Sequence, residues 1–267
     1  MPLPKPVGLT LDPNSLLVDM LAHIHIMKTA GQTVCDILRN SFGHNHCDLR
    51  CGDLATRADI AFARQFYPNL QSLGGHSIRP WSDLREIPEL RFFAFLRDPV
   101  ERCLSHFQFD VQRNGHRIDF LEWLPQNANY QTKILSRSDN ASTAIDVLKA
   151  RVGCIGFVGD FDRSLTLLQR WSGHQLDLSY QSRNRAKGNS VKQAVLANPE
   201  HVTALHESNR ADQEVYRYAR DVIYPALLAK HDAVGDLETP SRSIIPFWPS
   251  AKRNLLYKPL SKMLRRA

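Results

Sequence analysis

This sequence has little that resembles a signal-peptide pattern, a long apolar run or a regular cysteine spacing, and we expect from this that several classes of protein do not apply. Its five cysteines among 267 residues are scattered and odd in number, so they predict no disulfide framework and favour a reducing compartment. No apolar stretch reaches the roughly 18 residues of a membrane span. The first residues, Met-Pro-Leu-Pro-Lys-Pro, do not have the basic-then-apolar pattern of a signal peptide. We therefore expect a cytoplasmic protein.

Internal repeats and low-complexity tracts are also lacking, so we predict a single α/β domain over residues 1–238, long enough to bury a sizeable core. Residues 239–267 differ, because four prolines interrupt them and basic residues alternate with leucines. Three roles stay open for this basic C-terminal tail: peripheral contact with an anionic membrane surface, binding of an acidic polymer, and packing on the domain. Oligomeric state stays open as well.

Positive charge is in excess, with a net charge of +7 at pH 7. Such a surplus favours an anionic ligand, for example a polyphosphorylated cofactor, an acidic glycan or a nucleic acid. Because no nucleic-acid-binding motif accompanies the charge, we predict no nucleic-acid partner. A basic protein without any anionic partner is the alternative.

The most informative stretch is residues 16–42. Its first part is apolar, which predicts a strand buried on both faces of a parallel sheet. A short polar loop follows, flexible at Gly31, in which Lys28 adds charge and Thr29 and Thr33 add hydroxyl donors. Apolar residues then recur at helical spacing, at Val34, Ile37, Leu38 and Phe42. A helix beginning near Thr33 would point its N–H groups and dipole at the loop, which predicts an anion site.

A second stretch of the same kind begins with the aromatic run 91–96, which predicts a strand. Asp98 is a natural N-cap and Pro99 suits the first turn of the helix that follows. Arg97 then lies at the end of the strand, and Ser105 lies about two turns into the helix. Both residues are candidates to bind a phosphate beside the first loop. A surface arginine on an ordinary capped helix is the alternative.

Two histidine-bearing segments lie between these stretches. Residues 70–76 predict a short strand that ends in two glycines, which expose the imidazole of His76. Residues 43–56 contain two histidines and two cysteines: His44, His46, Cys47 and Cys51. Because this segment has no Cys-x-x-Cys spacing, we favour a polar loop over a zinc site, and metal binding there stays open.

The loop is not that of nucleotide triphosphatases, because the lysine precedes the glycine. The order His-Ile-x-Lys-Thr-Ala-Gly-x-Thr at 25–33 instead resembles the 5′-phosphosulfate loop of sulfotransferases that use 3′-phosphoadenosine 5′-phosphosulfate (PAPS). Phe-Leu-Arg-Asp-Pro-Val-Glu-Arg-Cys-Leu-Ser-His-Phe at 95–107 resembles their 3′-phosphate motif. These motifs are most similar to the version in carbohydrate sulfotransferases related to the heparan 2-O and chondroitin enzymes. Because the animal enzymes have a membrane anchor and no apolar run here is long enough for one, we expect a bacterial member. The sequence departs from the family at Met27, where proline is usual.

The resemblance implies a P-loop-like central parallel sheet with helices on both faces and a helix-rich C-terminal half. It implies that Lys28 stabilises the leaving phosphate and that His76, from a Gly-His pair between the two motifs, is the general base. Glu101 and His106 are weaker candidates for the base. A basic loop at 181–189 is expected to close over the nucleotide, although a solvated loop is the alternative. The cofactor-binding residues so implied are Lys28, Thr29, Ala30, Gly31, Gln32, Thr33, Arg97, Ser105, Arg183, Asn184 and Lys187.

The expected activity is transfer of a sulfonate group from PAPS to a hydroxyl of a carbohydrate or glycolipid acceptor, leaving 3′-phosphoadenosine 5′-phosphate (PAP). By analogy with phosphoryl transfer, catalysis is mostly positioning and charge stabilisation. The transferred group carries less charge than a phosphoryl group, so we predict that no metal is needed. The alternatives are a small-molecule kinase on a related fold and a non-catalytic binder of PAP or of an acidic glycan. The identity of the acceptor stays open.

Overall fold

The computed structural model describes residues 19–49, 51–115, 117–180 and 188–233, together with residues 251, 255–256 and 259. Five strands lie in this part of the chain: β1 (Met20–Ile24), β2 (His46–Asp48), β3 (Ser72–Gly75), β4 (Leu90–Leu96) and β5 (Val152–Phe157). They form one sheet in the order β2-β3-β1-β4-β5, and every pair is parallel. The predicted α/β class with a central parallel sheet is therefore confirmed.

Helices flank the sheet and dominate the second half of the chain, as predicted. Those before β5 are α1 (Gly31–Phe42), α2 (Arg57–Phe66), α3 (Pro99–Arg113), α4 (Phe120–Asn127), α5 (Tyr130–Ser136) and α6 (Ala141–Arg151). Those after β5 are α7 (Phe161–Ser172), α8 (Ser190–Leu196), α9 (Pro199–Ser208), α10 (Arg210–Tyr218) and α11 (Tyr224–Lys230), with a π turn at Ala219–Ile223.

The sheet is covered on both faces, because every residue of β1 is buried. Parallel strands of this kind are stable only under helical layers on each side. β1 is the central strand, with β3 and β4 as its neighbours. The carboxyl ends of these three strands therefore lie side by side, and each leads into a segment that the sequence singles out. This edge of a parallel sheet is where open α/β folds bind ligands.

Two features differ from prediction: the start of helix α1 and the structure of residues 43–56. Helix α1 begins at Gly31, two residues before the predicted Thr33. The polar loop predicted for residues 43–56 is wrong in part, because β2 is an edge strand whose three residues are buried. Its polar side chains stay buried because they have partners: His46 Nδ1 lies 3.0 Å from Ser72 Oγ, and Asp48 pairs with Arg39.

Within the described ranges, no helix is both long and apolar enough to cross a bilayer. Nor do three His, Cys, Asp or Glu side chains of those ranges come together as a possible metal site. The basic tail predicted for residues 239–267 lies outside the described residues, apart from the few positions given above.

Candidate functional site

The loop between β1 and α1 has the backbone of an anion site. Lys28 and Ala30 both have positive φ angles, 68° and 60°, on either side of Thr29. Ala30 is the N-cap of α1, and no side chain of the described residues caps the first N–H groups of that helix. Left-handed residues at such a turn direct successive N–H groups into a concavity that binds anions.

Gly31 is needed for close packing, whereas the sequence predicted it as a point of flexibility. A Cβ atom at this position would overlap the imidazole ring of His25. The ring therefore lies directly against the first residue of α1, and any side chain at position 31 would displace it.

Thr29 and Thr33 have different places in the structure. Thr29 is fully buried and its hydroxyl donates to the carbonyl of Ile26 at 3.0 Å. Thr29 does not line the cavity beside this loop. Its hydroxyl proton is used within the loop, so the hydroxyl holds the loop in shape, and a part for Thr29 in cofactor binding stays a prediction. Thr33 lines the cavity beside the loop.

Arg97 is held from three directions. Its backbone N–H donates to Gln131 Oε1 at 3.0 Å, and the amide of Gln131 donates back to its carbonyl at 2.9 Å. Its guanidinium donates to the carbonyl of Lys28 at 3.3 Å and to Glu101 Oε2 at 3.2 Å. The predicted N-cap at Asp98 is confirmed by its bond to the N–H of Glu101 at 3.0 Å. Arg97 therefore joins the two motifs.

A buried carboxylate that the sequence did not single out supports Gln131. Asp212 of α10 is fully buried and accepts hydrogen bonds from the N–H groups of Gln131 and Thr132, at 3.1 and 2.7 Å, and from the Thr132 hydroxyl at 2.7 Å. Because Gln131 in turn fixes the backbone of Arg97, α10 positions that arginine through α5.

The two motifs meet at one large cavity of about 1400 Å³. The predicted residues that line it are Lys28, Ala30, Gly31, Gln32, Thr33, His76, Arg97 and Ser105. Its wall has four cationic side chains, those of Lys28, Arg97, Arg113 and Lys192, and among the described residues no aspartate or glutamate. Arg183, Asn184 and Lys187 lie outside the described residues.

The cationic groups of this larger cavity are only partly solvated. Lys28 Nζ lies 4.3 Å from the centre of the Phe109 ring. Burial, with the nearby charge of Arg97, lowers the pKa of Lys28, and burial also lowers that of Arg97. Lys192, which the sequence analysis missed, bonds through Nζ to Glu101 Oε2 at 2.9 Å. An anion entering the cavity would offset the cost of burying these cations.

His76 follows β3 directly and is exposed at the cavity. Its Nδ1 lies 3.0 Å from the carbonyl oxygen of His25, and its ring stacks on the His25 ring with centroids 3.8 Å apart. A carbonyl oxygen only accepts, so the Nδ1 of neutral His76 holds the proton and Nε2 has the lone pair. Burial and the adjacent His76 lower the pKa of His25 to about 3, so His25 is a neutral packing partner.

The two weaker candidates for the base do not line the cavity. His106 is buried, with Trp123 and Tyr130 packed edge-on at 5.1 and 5.7 Å. Burial and the charge of Arg102 lower its pKa to about 4. Glu101 is engaged by Arg97 and Lys192, as described above. His76 is therefore the candidate with a suitable position.

No protein-family model matches this chain, and no curated protein matches it significantly. The function proposed for it therefore depends on its own residues and their geometry.

Proposed function

We propose that this protein is a sulfotransferase that moves a sulfonate group from PAPS to a hydroxyl of a carbohydrate-type acceptor. One observation carries the proposal. Lys28 and Arg97, which are 69 positions apart in the chain, are joined by a hydrogen bond at the wall of one cavity. All the charged side chains described in that wall are cationic, which suits a ligand with phosphate groups at two ends.

The residues present fit PAPS. The first-turn N–H groups of α1 suit the 5′-phosphate, since a helix N-terminus behind a tight loop favours an anion. Arg97 and Ser105 would bind the 3′-phosphate from the other motif. Lys28 would stabilise the negative charge that grows on the leaving phosphate oxygen, where a fixed cation counts most.

His76 would take the proton of the acceptor hydroxyl. The bond from its Nδ1 to the carbonyl of His25 fixes the tautomer with the lone pair on Nε2, as a general base needs. His25 supports the ring of His76 by stacking and does not share the proton, because its own pKa is far below neutrality.

The first test is calorimetric titration of the protein with PAP, 5′-AMP and ATP. We expect PAP to bind about tenfold or more tightly than 5′-AMP, since hydrogen bonds to charged groups contribute about 1.5–3 kcal/mol. Arg97→Ala should remove this preference and leave 5′-AMP binding nearly unchanged. Arg85→Ala, at an exposed arginine outside the cavity wall, is the matched control and should bind PAP as the wild type does.

Equal affinity for PAP and 5′-AMP would contradict the proposal at its base. Magnesium-dependent binding of ATP that is tighter than that of PAP would favour the kinase alternative.

A further inference from the structure

A second cavity, of about 460 Å³, lies beside the first at the carboxyl edge of the sheet. Its walls include the first turns of α1 and the ends of β2 and β3, with Cys35 and Asp48 among the lining residues. His25, Gln32 and His76 line both this smaller cavity and the larger one. His76 therefore lies at the boundary between the two spaces.

The charged groups around the smaller cavity are paired with one another. The Arg39 guanidinium donates to Asp48 through Nε at 2.8 Å and through Nη2 at 2.6 Å, and its Nη1 bonds to Asp36. Each of these three side chains is less than a tenth exposed. Arg39, the arginine of this lining, is therefore already held by two carboxylates, and His46 also lies 3.5 Å from Asp48. An anionic ligand would leave water here without gaining a cation of its own, which favours a neutral ligand.

Ser77 adds a polar group that the protein leaves unsatisfied. It lines the smaller cavity and is 2% exposed, and its hydroxyl has no hydrogen-bond partner in the part of the chain that the structure describes. A buried hydroxyl without a partner has a desolvation cost that a hydrogen bond to a ligand offsets. The smaller cavity therefore suits a ligand that has hydroxyl groups of its own.

The geometry of sulfonate transfer gives this cavity a place in the reaction. The acceptor oxygen must approach sulfur roughly opposite the departing phosphate oxygen, by analogy with phosphoryl transfer. The new bond joins that oxygen to sulfur, the bond from sulfur to the bridging oxygen breaks, and PAP keeps that electron pair. His76 Nε2 takes the hydroxyl proton. Because Lys28 and Arg97 line the larger cavity and not the smaller one, the acceptor would reach His76 from the smaller cavity.

We propose that the smaller cavity is the acceptor site, and that it takes one compact, uncharged unit with several hydroxyl groups, such as a terminal sugar ring. This inference rests on the proposed function. The volume suits a small molecule and not a stretch of polymer. Because Arg39 is already engaged by Asp36 and Asp48, the cavity disfavours uronic acids and sulfated sugars.

The test is calorimetric titration of the PAP-saturated protein with methyl β-glucoside and with its anionic counterpart, methyl β-glucuronide. We expect the glucoside to bind at least about tenfold more tightly, because the carboxylate of the glucuronide would lose water without gaining a partner cation. Ser77→Ala should fold normally, since its hydroxyl has no partner to lose, and should weaken glucoside binding about fivefold. Ser136→Ala is the control, because that hydroxyl bonds within α5 to the Thr132 carbonyl.

Glucuronide binding as tight as that of the glucoside would overturn the inference. So would a PAP complex that does not bind the glucoside, or binding that Ser77→Ala leaves unchanged. Each titration begins with PAP itself, which separates the two proposals. A wild type that fails to bind PAP contradicts the proposed function, whereas normal PAP binding with any of the other results contradicts the acceptor site alone.

Discussion

The two cavities that meet at His76 differ in how the charged side chains of their walls are paired. In the larger cavity, four cations line the wall and no carboxylate does among the described residues. In the smaller cavity, the guanidinium of Arg39 is held by two buried carboxylates. Buried charges are stable only when they are paired, so the smaller cavity is complete as it stands. The larger one is arranged for charge that a ligand brings.

This difference predicts that the affinity for an anion and the stability of the fold depend on different residues. Substitutions of the cations in the larger cavity should change the affinity for an anion and cost little stability, because these side chains remain partly solvated. Substitutions in the ion cluster of the smaller cavity should cost stability and leave anion binding alone. His76 belongs to both cavities, so its loss should affect the reaction and neither of these properties.

The largest effect is expected for His76→Ala. Loss of a general base lowers a transfer rate by about 10²–10⁴-fold, while PAP affinity should stay within about twofold, as expected for a residue that does not hold the phosphates. The measurement is transfer from radiolabelled PAPS to the methyl glucoside, beside a titration with PAP. A variant that retains the full rate would show that another group takes the proton.

Asp48→Asn should have the next largest effect, on stability. Removing one partner of a buried ion pair costs about 3–5 kcal/mol, and here Arg39 would keep Asp36 but lose the charge of Asp48 and one of its two hydrogen bonds to that side chain. Urea denaturation measures this loss. Asp221→Asn is the control, because Asp221 is half exposed beside Arg220 and such pairs contribute about 1 kcal/mol or less. PAP affinity should not change, and a loss of it would break the separation between the cavities.

The same pair predicts how stability depends on pH. Burial alone would raise the pKa of Asp48, but hydrogen bonds and charge from His46 and Arg39 lower it well below its usual range. A carboxyl whose pKa is depressed by folding stabilises the protein above its unfolded pKa of about 3.9. That contribution is lost as the pH falls below about 4. Wild type should therefore lose stability more steeply than Asp48→Asn over that range.

Gly31→Ala should have an intermediate effect on stability and on PAP affinity. The added methyl group would overlap the His25 ring, and overpacking of this kind costs about 1–3 kcal/mol. Because Gly31 begins α1, whose first N–H groups would hold the 5′-phosphate, and lines the larger cavity, PAP binding should weaken as well. The control is Gly159→Ala, where a methyl group meets no atom of the described residues within 4 Å. Urea denaturation and PAP titration compare the two variants. Equal stability of Gly31→Ala and Gly159→Ala would contradict the prediction.

The sheet and the two motifs were predictable because their determinants are local. The apolar runs of β1 and β4 and the cap at Asp98 are visible within a few residues. Strand β2 was missed because its polar side chains are buried through partners in other elements, such as Ser72 for His46. A local pattern contains no such information.

The candidate site also has residues that the sequence predicted and residues that it did not. Lys28, Ser105, Arg97 and His76 were predicted from motifs that the family resemblance made visible, and they line one cavity. The support for Arg97 was not predicted, because Asp212 meets Thr132 across 80 positions of the chain. Only the fold brings such residues together, and no spacing rule in one sequence connects them.

Lys192→Gln should have the smallest effect, on PAP affinity, and it tests how Glu101 influences the cations of the larger cavity. Lys192 and Arg97 both bond to the same oxygen of Glu101, at 2.9 and 3.2 Å, so the carboxylate occupies cations that would otherwise face an anion. Loss of one such cation should weaken PAP binding about tenfold, as for one charged hydrogen bond. Glu101→Gln should strengthen PAP binding a few-fold, because a competing negative charge is removed.

The control for this pair is Lys133→Gln, a lysine that pairs with Asp139 outside both cavities. If both side chains act on the bound phosphate, titration with PAP should show weaker binding for Lys192→Gln and stronger binding for Glu101→Gln. Weaker binding in both variants would instead mean that Glu101 positions the cations for the ligand. The carboxylate would then be part of the binding site and not a competitor for it.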